Sequence, residues 1–259
     1  MRMNLRNTAI AFALMLLSFY MVLIISLAPF LTSGDLYKII TSQRVFYSIK
    51  LSVATAVAAT FFSLVFGIPT GYALSRYQFR GRAIVDAALE IPLIVSPIAL
   101  GALLLIFFKT SAGSYIQNNA AIFVFEIKGI ILAQFITSAG IAARMIKSTF
   151  DEISPRYEMV AGSLGASPFY SFISVTFPLA RRGIIAATAV TFAKCVGEFG
   201  ATMTLAGTMP MKTETLPVSI FLNLSSADIE GVAALIILLI TLGLATILFA
   251  KKMGVARHD

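Results

Sequence analysis

The sequence predicts an all-α integral membrane protein with about six transmembrane helices, and three observations carry that prediction. Hydrophobic residues make up 58% of the 259 residues and charged residues only 12%, and the mean hydropathy is +0.90, far from the charge content of soluble domains. Apolar runs of about 20 residues recur along the chain, the length a helix needs to cross hydrocarbon. Charges gather between these runs rather than inside them. Unpaired backbone groups are too costly in lipid for irregular structure, so each run reads as a helix.

The spans expected in order are 9–30, 49–75, 85–108, 128–148, 181–206 and 228–250. The first follows Arg2 and Arg6 as a signal peptide would. Its apolar stretch from Thr8 to Phe30 is too long for such a segment and no A-x-A-like site follows, so it is expected to be retained. The second span holds Gly67-Ile-Pro-Thr-Gly71, which favours close helix packing. The third carries Pro92 and Pro97, where freed carbonyls need partners from neighbouring helices, with Glu90 expected at the cytoplasmic interface. The fifth carries Lys194 and Glu198. Residues 216–225 are apolar but too short to cross, and are expected as a re-entrant or outer-surface helix. Residues 1–259 thus read as a single transmembrane domain without an internal repeat.

Charge placement orients the chain. With both termini cytoplasmic, inside segments hold 13 of the 20 lysines and arginines, among them Arg76, Arg80, Arg82, Arg144, Lys147, Arg181, Arg182, Lys251 and Lys252. Outside segments hold 6, Lys38, Arg44, Lys50, Lys109, Lys128 and Lys212, and Lys194 lies within a span. That bias predicts an N-in, C-in topology and accounts for the net charge of +8 without nucleic acid. With no tryptophan, the interfacial belts fall to Tyr37, Tyr47, Tyr72, Tyr77 and Tyr115.

Several chemistries are excluded. The one histidine, His258, is the penultimate residue, which removes histidine acid–base and metal chemistry. Cys195 is the one cysteine, so no intrachain disulfide forms. No lysine follows a glycine as a phosphate loop requires; the nearest segment, Gly140 to Ser148, has Ile146 where the second glycine belongs. Energy for active transport would have to come from another subunit.

The most informative stretch runs from Ser154 to Pro178. Ser154-Pro155 is a helix start, with serine as cap and proline at the first turn. Gly165 is placed to end that helix in the left-handed conformation, and Ser167-Pro168 repeats the start signal. Two short helices are expected, the second running toward Pro178. Tyr157, Met159, Val160, Leu164 and Phe169 give the segment more apolar surface than a solvated loop carries. Only Arg156 is basic between Pro155 and Leu179, which suits a protein-docking element better than an anionic membrane surface.

This stretch resembles the EAA loop of prokaryotic ABC-importer permeases, whose pattern separates E-A-A from a glycine by three residues and, nine residues further on, ends in I-x-L-P. Aligning that glycine with Gly165 puts E-A-A on Met159, Val160 and Ala161, and the end of the pattern on Val175, Phe177 and Pro178. Leu164, Ala166, Ser167 and Pro168 also agree. The glutamate position holds Met159, with Glu158 one residue earlier and therefore about 100° around the helix. A second segment, A-K-C-V-G-E-F-G-A-T-M-T-L-A-G at 193–207, is similar to the G-E-F-G-A segment of the oxyanion branch of these permeases. Thr215 to Ile220 also resembles that branch. The similarity extends from the first span to about residue 250. Lys194 stands where the branch more often has arginine, which keeps a positive charge but loses the bidentate fork.

The resemblance implies a type I ABC-importer permease fold in a prokaryotic cell membrane, carrying molybdate or tungstate by ATP-driven alternating access. Pro155, Arg156, Glu158, Met159, Ala161, Leu164, Gly165, Ala166, Ser167 and Pro168 would dock an ATPase. The chain would have no catalytic residue, metal or cofactor; ATP and Mg would be held by two ATPase partners. A second copy of the chain and an external oxyanion-binding protein would complete the importer. Lys194, Gly197, Glu198, Gly200 and Thr202 would line or gate the path. The residues themselves leave two readings for Lys194 and Glu198, a structural pair on one helix face or a positive lining for an anion. Sulfate or thiosulfate remains an alternative cargo, and an ion-coupled secondary carrier an alternative class.

Overall fold

The computed structural model describes residues 5–31, 39 and 41–255, and every regular element among them is helical. Arg2, Tyr37, Lys38, Arg257 and His258 lie outside the described residues. Helix α1 spans Leu5–Ile25, with a 3-10 turn at Ala28–Phe30, and no residue of it is buried. Next come α2 (Gln43–Arg76), α3 (Arg82–Ala88), α4 (Ile91–Ile94), α5 (Pro97–Lys109) and α6 (Ser111–Asn119). They are followed by α7 (Ile127–Asp151), α8 (Arg156–Ser163) and α9 (Pro168–Ser171), which leads through a π turn at Phe172–Thr176 into α10 (Phe177–Val196). The last are α11 (Gly200–Ala206), α12 (Leu216–Ser225) and α13 (Ile229–Val255). Five helical stretches are long and apolar enough to cross a membrane, and a bent pair, Arg82–Ile94 with Pro97–Lys109, is the sixth when it is counted as one broken span.

Two spans differ from the sequence expectation. The third is bent by 113° between α4 and α5. Pro97 cannot donate into the preceding turn and holds Ser96 extended, so the helix restarts with Ser96 Oγ accepting from Ala99 N at 3.3 Å. The fifth begins earlier than expected. The second Ser-Pro start does not open a separate short helix ending at Pro178; α9 continues through the π turn into α10. There the Phe177 N–H donates to Phe172 O, a wider turn that accommodates Pro178. The same span stops at Val196, and its expected last residues form the separate α11.

The core is a seam of small residues between α2 and α7. Ala56, Ala59, Ala133 and Ala142 are fully buried, and Ser63 Oγ lies 3.0 Å from Ser138 Oγ. A Cβ on Gly67 would sit 3.3 Å from Ala143 N, and one on Gly71 only 2.9 Å from Lys147 N. Backbones therefore meet at Gly67 and Gly71 as closely as small residues allow. At the outer end, α12 packs on α2: Leu216 N donates to Ser52 Oγ at 2.8 Å and Ser219 Oγ lies 3.0 Å from Ser48 Oγ. Glu214, fully buried, accepts from Arg44 Nε at 2.8 Å and from Ser219 Oγ at 2.8 Å. This short helix occupies 216–225, the range expected for a non-crossing outer element.

Candidate functional site

Helix α8 forms as its residues dictate. Ser154 Oγ accepts from Arg156 N at 3.4 Å, Pro155 is already helical, and Met159 N donates to Pro155 O at 3.2 Å. Gly165, at φ +89°, ends the helix: Ala166 N reaches back to Ala161 O and Gly165 N to Gly162 O, each at 3.0 Å. No atom lies within 4 Å of where a Gly165 Cβ would be, so the demand for glycine is conformational, not steric. Ser167 Oγ then caps the restart by accepting from Tyr170 N at 3.2 Å.

The segment has two faces. Tyr157, Met159, Val160, Leu164, Phe169 and Tyr170 are exposed, Leu164 at 84% and Phe169 at 75%. Pro155, Arg156, Gly165, Ser167 and Pro168 share that exposure, while Ala161 and Ala166 are half-buried. The other face is pinned to the bundle through Glu158. Its carboxylate accepts from Tyr72 Oη at 2.7 Å, Arg76 Nε at 2.9 Å and Thr176 Oγ1 at 2.7 Å. Arg76 Nη2 also donates to Ile153 O at 2.8 Å, and the Tyr72 ring packs edge-on to Phe172 and Phe150. Burial would raise the Glu158 pKa, but the three hydrogen bonds and the Arg76 charge outweigh it and hold the carboxyl below its ordinary range. Glu158 thus ties α8 to α2 and to the π turn at once, and its carboxylate faces inward. Tyr72, Arg76 and Thr176 were not singled out from sequence for this role; Arg76 counted there only as an orienting charge.

The second set of residues sits at the break between α10 and α11. Lys194 Nζ lies 2.9 Å from Glu198 Oε2, and Glu198 Oε1 accepts from Ala201 N at 3.0 Å. One carboxylate, 1% exposed, therefore holds both sides of the break, with Lys194 before it and the first turn of α11 after it. Lys194 keeps 36% of its side chain exposed. Gly200 allows α11 to meet the start of α5, since a Cβ there would lie 3.0 Å from Ile98 N. Gly197 is exposed at the break itself. Thr202 is fully buried and its hydroxyl has no partner among the described residues, while Thr204 bonds to Gly200 O in its own helix. Of the five residues, Lys194, Gly197 and Glu198 gather at the break, Gly200 packs on α5, and Thr202 lies inside the bundle.

Known proteins share both regions. Over 211 residues the chain is 32% identical to the molybdenum transport system permease protein ModB of Escherichia coli, covering 80% of this chain and 92% of that protein. It is 32% identical over 205 residues to the sulfate transport system permease protein CysT of Salmonella typhimurium, covering 77% of this chain and 73% of the other. Its fold is shared with a bacterial alginate ABC transporter solved in complex with a periplasmic protein bound to an alginate pentasaccharide, at a TM-score of 0.74 and 17% identity, over 97% of this chain and 96% of that one. Residues 63–253, which include the α8 segment and the break at Gly197, match the model of the binding-protein-dependent transport system inner membrane component. The chain belongs to that family of inner-membrane transport components.

Proposed function

We propose that this chain is the permease subunit of an ABC importer that carries molybdate or tungstate, coupled to separate ATPase subunits through residues 154–178. The observation that carries the coupling is the two-faced build of α8. An apolar face is left open at the cytoplasmic end, and its back is fastened by Glu158 to α2 and the start of span five. A force applied to Leu164 or Met159 would reach both spans through a rigid link rather than a loop. ATP binding would draw two ATPases together, the segments would follow, and the spans would turn from inward- to outward-open. Two copies of the chain, two ATPases and an external oxyanion-binding protein make up the working importer in this reading. ATP and Mg stay with the ATPases; the chain itself binds, orients and moves.

The assignment of cargo rests on the relatives. The molybdenum permease is matched over 92% of its length and the sulfate permease over 73%, so the molybdenum protein is the one of the two aligned nearly end to end. The equal identity to the sulfate protein supports sulfate or thiosulfate as the second reading. Labelled molybdate uptake by the assembled importer, with tungstate and sulfate as competitors, separates them. Competition by tungstate but not sulfate is the expected result, and stronger competition by sulfate would reverse the assignment. Uptake by the chain alone in liposomes, without ATPase, would instead establish an ion-coupled carrier.

A further inference from the structure

Between α2, α10 and α13 runs an apolar groove of about 760 Å³, lined by Val57, Phe61, Ile185, Thr188, Phe192 and Phe249 among others. No residue lining it is charged. Two of its three threonines are satisfied within their own helices, Thr188 Oγ1 donating to Ile184 O at 2.7 Å and Thr246 Oγ1 to Leu242 O at 2.9 Å, while the hydroxyl of the third, Thr60, is buried and has no partner among the described residues. All three helices are long and apolar enough to cross a membrane, so the groove runs at the depth of the hydrocarbon layer. Its inner end carries a different chemistry. Arg181 lies one helical turn before Ile185 and two before Thr188, and Arg182 shares that flank. On the facing helix, Lys252 lies one turn beyond Phe249. All three basic residues are exposed, and the charge bias places this end at the cytoplasmic leaflet.

We propose that this groove binds an anionic phospholipid, with one acyl chain along the apolar walls and the phosphate at Arg181, Arg182 and Lys252. Walls built almost wholly of apolar side chains, with one buried hydroxyl at Thr60, select a hydrocarbon chain. Basic residues at the headgroup level, on the same faces as the walls, select a negative headgroup over a zwitterionic one. The site is remote from both the α8 face and the Lys194–Glu198 break, and does not depend on which anion is carried.

The test uses the full chain purified in neutral detergent, with retention of phosphatidylglycerol and phosphatidylcholine of identical acyl chains measured by native mass spectrometry. Phosphatidylglycerol is expected to be retained preferentially. Arg181→Gln and Lys252→Gln should each lower its retention by about fivefold, and together should abolish the preference. Ala189→Phe, which fills the groove, should lower retention of both lipids alike. Equal retention of the two lipids by the unmodified chain would overturn the proposal, as would an undiminished preference in the double variant. So would a disulfide between Met15→Cys of one copy and Thr188→Cys of another, because it would place α1 of a second copy in the groove.

Discussion

Glu158 accepts a hydrogen bond from Arg76 Nε at 2.9 Å, joining residues 82 positions apart across the cytoplasmic end of the bundle. Their side chains are only 18% and 7% exposed. Removing one partner leaves the other charge buried and unpaired. Glu158→Ala is therefore expected to destabilise the chain by about 3 kcal/mol, read from chemical unfolding in detergent. A double-mutant cycle with Arg76→Met should recover part of that loss; strict additivity would show that the two residues do not interact.

The same carboxylate sets a pH dependence. Its pKa is held below the ordinary carboxylate value, so its contribution is complete above that value and fades as pH falls through the lower folded-state value. The stability difference between the native chain and Glu158→Gln should stay level from about pH 7 to about pH 5 and shrink under stronger acid. A difference that grows on acidification would contradict this.

Gly165 holds φ +89°, a conformation closed to proline. Gly165→Pro should displace Ser167 and Pro168 and uncouple hydrolysis from uptake while the complex remains assembled. Gly165→Ala should keep coupling at a cost of about 1–2 kcal/mol of stability. The ratio of anion transported to ATP hydrolysed distinguishes the two variants.

Among the described residues, Lys194 is the one partner with a full positive charge on the Glu198 carboxylate. Lys194→Met should lower anion uptake by about tenfold without altering the amount of protein in the membrane, and Lys194→Arg should retain most of it. Unchanged uptake in the methionine variant would leave the pair a purely structural one.

At the α2–α7 seam, Gly71→Ala would press a methyl group against Lys147 N at 2.9 Å. Backbone cannot retreat as a flexible side chain can, so a loss of about 1–3 kcal/mol is expected, visible as a lower unfolding midpoint in detergent.

Much of this architecture was legible in the residues. Apolar runs located the spans, because each depends on a local sum of side-chain transfer energies. Ser167 and Gly165 announced a cap and a left-handed stop, because those preferences belong to single residues and their neighbours. Lys194 and Glu198 were recognisable as a pair from their spacing. What stayed hidden was pairing between distant elements: Tyr72, Arg76 and Thr176 around Glu158, Arg44 on Glu214, and the reach of Glu198 to Ala201 N across a break.

By itself, the sequence determined an all-helical membrane chain, its orientation and the caps of α8 and α9, all of them set by local composition and spacing. Only the tertiary structure decided that span three bends by 113°, that span five starts at Pro168 and breaks before Gly200, and that Glu158 faces inward while Met159 faces out. Those outcomes depend on which helix faces meet. A proline can kink, cap or widen a helix, and a glutamate can dock a partner or anchor its own bundle. The neighbouring helices that supply or withhold hydrogen-bond partners choose among these.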